Sequence, residues 1–358
     1  MRTGVVGACA LLAGCGRLHF DPVSTGSGSD LGLARSTLAL DRVDPGTTIT
    51  DFPLLVVLDD TRAARDLLDA QATDLRFLDA TGNVLAYELE QIGSAGGAPL
   101  VAWVRVPTIV GTTTTIEVAI GGTLPAASAE PVWSGDFAAV FHMTSGATDS
   151  TANHNDGTAV APTAITAMTG MIAGAQSFDD TSLQPCYEIA DAASLAVPVV
   201  TISGWMRQAA TSPGIETLVA RAVTGSVDDD FLLGTTVDQP YAEVFASSSG
   251  LLQLPDTAGT VTIGQWAHLA MTVNATTLAL FQDGALVQMA SIAGDVQHDP
   301  QLVLIGADAN SSVVPNGSYL GGAVDEIRIE TVARTPSWVM YDDLSQRDEL
   351  ISYGPIER

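Results

Sequence analysis

Apolar and polar positions alternate along most of this chain with a period of two, in short runs separated by Gly, Pro, Asn and Asp. Leu54-Leu55-Val56-Val57-Leu58 is an apolar strand, and Leu75-Arg76-Phe77-Leu78 follows one helical turn predicted at Ala63 to Leu68. Val101 to Pro107 and Thr113 to Ile120 add two strands rich in β-branched residues. After an Ala/Pro-rich break at Thr123 to Pro131 the strands resume. Trp266 to Asn274 is the clearest: Ala267, Leu269, Met271 and Val273 share one face, His268 and Thr272 the other, which predicts one buried and one wetter face. Leu278 to Gln282 and Ala285 to Met289 flank Asp283-Gly284, a two-residue hairpin turn. Helices are scarce, the exception being a short one from Thr335-Pro336 through about Asp343, with threonine as N-cap and proline in the first helical position.

Short strands at this spacing predict an all-β protein of two β-sandwich domains. The expected organisation is a signal peptide at 1–14, a lipidated cysteine and tether at 15–34, a first sandwich at 35–122, a linker at 123–136, a second sandwich at 137–332, and a short helix and tail at 333–358.

The N-terminus changes the picture of where the chain works. Arg2, the apolar run Val5 to Leu12 and the small pair Ala13-Gly14 before Cys15 resemble a bacterial lipoprotein cleavage site. The resemblance implies lipidation of Cys15 and attachment to the membrane through that anchor alone, because no stretch reaches the ~20 apolar residues of a span. Gly16 is not the aspartate that retains some lipoproteins at the inner membrane, so the expected location is the cell envelope at the outer membrane. Cleavage would remove Cys9 and leave Cys186 unpaired, so no intramolecular disulfide is expected.

Composition narrows the partners. Fourteen basic residues, all arginine, face 41 acidic ones for a net charge of -27, which repels phosphate backbones and argues against nucleic acid and anionic lipid. It favours solubility at a cell exterior and loops that attract divalent cations.

Six segments of the second half occur together in order: Gly174 to Asp180, Val200 to Met206, Trp266 to Ala270, Gln282-Asp283-Gly284, Ile305-Gly306-Ala307 and Gly321 to Ile329. Residues 137 to 332 thereby resemble bacterial laminin G-like domains, which implies a concanavalin A-like jelly roll of two packed antiparallel sheets. Phe52 to Val56, Asp74 to Phe77, Tyr87 to Glu90 and Ala102 to Pro107 resemble an uncharacterised sandwich domain that precedes such modules and has no established activity. Together with the lipoprotein signal, this implies a non-enzymatic envelope protein that binds carbohydrate or an extracellular protein. A glycoside hydrolase or lyase and a purely structural envelope component are the alternatives.

Several residues are candidates for chemistry. Asp149 to Gly157 concentrates oxygen donors, and the laminin G-like resemblance implies calcium held by Asp149, Asn153 and Asp325, with Asp156 a weaker ligand. A polar turn bonding its own backbone is the other reading, and Ala152 and His154 replace glycines expected to supply positive φ. Glucanases on this fold carry Glu-x-Asp-x-Glu on one strand; here Glu326, Arg328 and Glu330 stand in register, and a cation between the two glutamates is expected to depress both. Asp228-Asp229-Asp230 reads as a solvated loop, and the histidines at 142, 154, 268 and 298 lack ligand spacing. Trp205 and Trp266 read as core rather than sugar platforms. No catalytic residue is assigned. Three glycosylation sequons, at Asn274, Asn310 and Asn316, are present by spelling alone.

Overall fold

The structure is a computed structural model and describes residues 32–358, apart from 129, 134, 180, 227, 256–258 and 310–317. Cys9, Cys15 and most of the tether lie outside the described residues, as do Asn310 and Asn316.

Alternation builds the strands as expected. The first sandwich contains β1 (Ala34–Ala39), β2 (Thr48–Leu58), β3 (Leu75–Asp79), β4 (Tyr87–Gln91), β5 (Leu100–Val110) and β6 (Thr115–Ile120). The second contains β7 (Phe137–Met143), β8 (Gly146–Asp149), β9 (Gly157–Val160), β10 (Ile165–Thr169), β11 (Gly174–Phe178), β12 (Cys186–Ile189), β13 (Val200–Gln208), β14 (Ile215–Ala222), β15 (Asp229–Thr236) and β16 (Gln239–Ala246). It continues through β17 (Gly250–Pro255), β18 (Ala267–Asn274), β19 (Thr277–Gln282), β20 (Ala285–Ser291), β21 (Val303–Ile305) and β22 (Gly322–Glu330), before helix α1 (Pro336–Gln346) and β23 (Ser352–Tyr353). The turn expected at Ala63 to Leu68 is a single 3-10 turn, Arg65–Leu67.

In the second sandwich a nine-stranded sheet runs β10-β11-β22-β13-β18-β19-β20, with β7 on β22 and β8 on β7, and packs on a seven-stranded sheet ordered β17-β16-β15-β14-β21-β12-β9. The inward rows, among them Ile202, Met206, Leu269, Met271, Phe231, Leu233, Val244 and Ile305, make one core. Asp283 and Gly284 both take positive φ, the conformation a two-residue hairpin turn demands. Cys186 is buried and free, and burial pushes its thiol up to about 12.

The C-terminal segment reaches back across the molecule. Thr335 caps α1 by accepting from Trp338 N, and Pro336 occupies its first turn. Trp338, Tyr341, Leu350 and Ile351 join Phe52, Leu55 and Trp103 in the core of the first sandwich, and β23 pairs with β1 at Leu38 and Ala39. Backbone N–H groups of Asp44, Leu55 and Val57 donate to the hydroxyls of Tyr341, Ser345 and Tyr353. The first sandwich thus takes apolar surface and hydrogen bonds from chain that follows the second.

This packing alters one expectation. His268, Ala270 and Thr272 are buried like their neighbours on the opposite face of β18, not wet. Val339 of α1 packs on Ala270, Ala279 and Phe281, so α1 covers the outward face of the nine-stranded sheet at β18 and β19. Trp205 is also fully buried, but against this outward face, 5.1 Å from His268, with its indole N–H donating to Gln346 at 2.6 Å. Trp266 is half-buried.

Candidate functional site

Where the first sandwich meets the nine-stranded sheet, an irregularity in β22 decides what faces the junction. Strict alternation from Val324 would turn Glu326 and Arg328 into the jelly-roll core. Instead two residues, Glu326 and Ile327, oppose the single Gly204 between the pairs Trp205–Asp325 and Ser203–Arg328, and Glu326 adopts φ +47. This is a β-bulge with a non-glycine residue in the left-handed region. It returns Ile327 and Ile329 to the core beside Val324 and leaves Asp325, Glu326, Arg328 and Glu330 off it.

Those groups meet side chains of the first sandwich. Alternation on β4 sends Glu88 and Glu90 across the junction, and on β7 it sends Val140 and His142 the same way while Phe141 faces the jelly-roll core. His142 Nδ1 lies 2.6 Å from Glu326 Oε1 and 3.7 Å from Glu90 Oε2, and its Nε2 lies 3.7 Å from Glu88 Oε2. Glu90 accepts from Thr144 Oγ1 at 2.9 Å and from the Trp103 indole at 3.0 Å; Glu88 accepts from Ser150 Oγ at 2.8 Å and from the Trp133 indole. Arg328 donates to Asp342 of α1 at 2.7 Å and to Glu326 Oε2 at 3.1 Å, with its guanidinium 4.5 Å from the Trp103 ring and 5.0 Å from that of Trp133.

Burial and partners set the protonation of this junction. Burial and the nearby Glu326 charge push Glu90 up to about 8. Burial opposes charge on both Glu326 and His142, but their mutual attraction outweighs it, aided at Glu326 by Arg328 and at His142 by Glu88 and Glu90. Glu326 therefore sits below its ordinary value, and His142 well above the usual imidazole range. Asp325, buried beside Glu326, is driven well above the carboxylate range. Arg328 does not depress both flanking glutamates as expected, because burial pushes Glu330 up to about 7 despite its ion pair to Arg334 at 2.6 Å.

The residues expected to bind calcium do not converge. Asp149 Oδ1 accepts from Val140 N and Thr151 N, and Oδ2 from Thr151 Oγ1 and Asn155 N, at 2.8–3.0 Å. Asn153 donates to the Phe137 and Ala138 carbonyls, Asp156 accepts from Asp149 N, and Asp325 accepts from Ile172 N. Every Asp149 oxygen faces N–H or O–H donors, the hydrogen bonding that the polar-turn reading expects of this loop. His154 takes φ +54, the conformation the replaced glycine was expected to supply.

The outward face of the seven-stranded sheet carries a second polar group. Tyr241 and Glu243 on β16 alternate with the inward Ala242 and Val244. Glu243 accepts from the Tyr241 hydroxyl at 2.6 Å, Gln253 Nε2 at 3.0 Å and Asp229 N at 3.2 Å. Burial, and then Asp308, pushes Asp229 up to about 10; one oxygen of each of these aspartates has no hydrogen-bond partner. Asp229 and Asp230 are thus buried strand residues rather than a solvated loop. Leu251 and Gln253 on the edge strand are exposed, whereas Ala220, Leu232 and Tyr241 of the same sheet form a buried apolar cluster.

Sequence reasoning did not single out Glu88, Glu90, Tyr241 or Glu243, and it set His142 aside as a histidine without ligand spacing. For the first two a signal was present, since glutamates at i and i+2 on a strand must share a face. His142 and Glu326 are far apart in sequence and meet only through the fold.

Among solved structures, the chain is similar to the binding domain of Paraclostridial Mosquitocidal Protein 1, at 13% identity over 59% of this chain and 52% of that one, with a TM-score of 0.47. The chain thus spans about half the length of that domain. It is also similar to domain 4 of AbnA, an extracellular arabinanase from Geobacillus stearothermophilus solved with arabinotriose, at 20% identity over 57% and 97% of the chains and a TM-score of 0.45. The Ruminococcus gnavus IT-sialidase CBM40 bound to alpha2,3 sialyllactose is similar at 14% identity over 44% and 91%, with a TM-score of 0.36. No curated protein matches the chain. Residues 186–340 match the sequence model of the concanavalin A-like lectin/glucanase superfamily, in its laminin G-like branch, which agrees with the jelly roll of the second sandwich.

Proposed function

We propose that this chain is a recognition protein whose jelly roll takes up a saccharide on the outward face of its seven-stranded sheet, supported by the first sandwich and α1. The observation that carries this reading is the covering of the opposite sheet. Trp205, His268, Arg328 and Glu330 are buried beneath the first sandwich and α1, which favours the other face of the jelly roll for a ligand. There Leu251 and Gln253 are exposed, and Glu243, buried beneath them with Tyr241 and Asp229, accepts from Gln253 Nε2 and so positions that amide for sugar hydroxyls. A fold that hosts lectins supports the reading by analogy. The anchor belongs to the same proposal: Cys15 behind Ala13-Gly14 would hold the chain on the cell envelope, at the outer membrane.

The test is a glycan array probed with the full chain and with Glu243→Gln. Retention of a saccharide that weakens about tenfold or more in the variant, worth ~1.4 kcal/mol, is expected. Retention of nothing, or retention indifferent to Glu243, overturns the reading.

One observation favours hydrolysis as a second reading. Asp229, pushed up to about 10 by burial and Asp308, lies in the same hydrogen-bonded group as Glu243, and a carboxyl kept protonated can serve as a general acid. Turnover on a polysaccharide panel, lost in both Asp229→Asn and Glu243→Gln, would move the conclusion from binding to catalysis.

A further inference from the structure

The geometry points to a divalent transition-metal site, with zinc as its best-suited ion, at the junction of the two sandwiches, formed by Glu90, His142 and Glu326. Their ligand atoms all lie within 4.8 Å of one another, and they form the one such group of three among the described residues. They come from three strands, β4, β7 and β22, on both sides of the junction. A bound ion would therefore tie one sandwich to the other.

Spacing, surroundings and charge support this placement. Ligands about 2.0–2.2 Å from a tetrahedral ion sit roughly 3.3–3.5 Å apart. The 3.7 Å between His142 Nδ1 and Glu90 Oε2 is close to that, while the 2.6 Å to Glu326 Oε1 is a hydrogen bond that would open as the ion displaces the proton. The supporting groups are already placed. Glu326 keeps Oε1 toward His142 because Arg328 holds Oε2, and Thr144 and Trp103 orient Glu90.

His142 Nε2 is buried without a hydrogen-bond partner and lies 3.7 Å from Glu88 Oε2. A metal-bound imidazole hands its other N–H to a carboxylate, and Glu88 stands within a short side-chain shift of taking that hydrogen bond. Charge points the same way, since the carboxyl oxygens of Glu88, Glu90 and Glu326 all turn toward the one imidazole of His142. One imidazole with carboxylates suits zinc better than calcium, which prefers oxygen alone.

The experiment loads the full chain, stripped by chelator, with zinc chloride, and reads stoichiometry by calorimetry and ligation by X-ray absorption. One zinc per chain, an N/O shell with scattering from one imidazole, and at least a tenfold loss of affinity in both Glu90→Gln and His142→Gln are expected, with Asp149→Asn as an unaffected control. Absence of stoichiometric zinc in the folded wild-type chain, or binding that both variants retain, overturns the proposal. Where a variant does not fold, the wild-type spectrum decides, and a shell without imidazole overturns it equally.

Discussion

Replacing Arg328 by methionine tests how the junction is held. The guanidinium is fully buried, bonded to Asp342 and Glu326, and lies against Trp103 and Trp133. Methionine matches its stem and keeps contact with the indoles, so the main effect is to take the cation from two buried carboxylates, leaving Glu326 with His142 and Asp342 with Gln346. Breaking a buried ion pair from one side costs about 3–5 kcal/mol, and a desolvated cation–π contact adds up to ~2 kcal/mol, partly returned by sulfur–ring contact. A loss of about 3–5 kcal/mol is therefore expected, a large share of the 5–15 kcal/mol that holds a typical fold. Urea unfolding followed by tryptophan fluorescence measures it, since Trp103 and Trp133 report on the junction directly. Adding Asp342→Leu to Arg328→Met removes one of these carboxylates and should recover a substantial part of the loss. A loss below about 1 kcal/mol for Arg328→Met, or no recovery in the double variant, would refute the view that these charges lock the junction.

Other expectations follow from the same geometry. A chain ending at Val332 removes Trp338, Tyr341, Leu350 and Ile351 from the first sandwich's core; at about 1.5–3 kcal/mol per large buried side chain it should fail to unfold cooperatively, and an unchanged calorimetric transition would contradict this. Calcium should leave the melting temperature unchanged, and a rise abolished by Asp149→Asn would show that the loop binds it after all. Burial pushes Asp230 and Glu330 up to about 7 and Asp343 to about 6. The folded chain thus holds protons that the unfolded chain releases near pH 4, and these groups make stability fall as pH rises from about 4 to 7. Urea midpoints at pH 5 and 7.5 should show that fall, and Glu330→Gln should flatten it.

Much of the fold was legible in local pattern. The Asp283-Gly284 hairpin, the Thr335 cap and the inward row of β18 rest on interactions within a few residues, and the structure agrees with each. The candidate sites were not legible, for identifiable reasons. A glutamate at positive φ is disfavoured, so no local rule places a bulge at Glu326, yet that bulge decides which face receives the charges. The polar face of β18 read as wet because nothing in its alternation announces a helix from the far end of the chain. Asp229 and Asp230 read as a loop because a carboxylate run is usually solvated; here neighbouring strands bury them.

The claim that recognition belongs to the seven-stranded sheet, because the other sheet is covered, can be measured without knowing the ligand. In a background with Cys9, Cys15 and Cys186 replaced by serine, single cysteines are placed at Gln253, exposed on the proposed binding face, and at Ser203, buried on the covered face. With a water-soluble maleimide, Gln253→Cys should react at the rate of a free thiol, and Ser203→Cys only when the chain unfolds. Rapid labelling of Ser203→Cys in the folded chain would contradict the account.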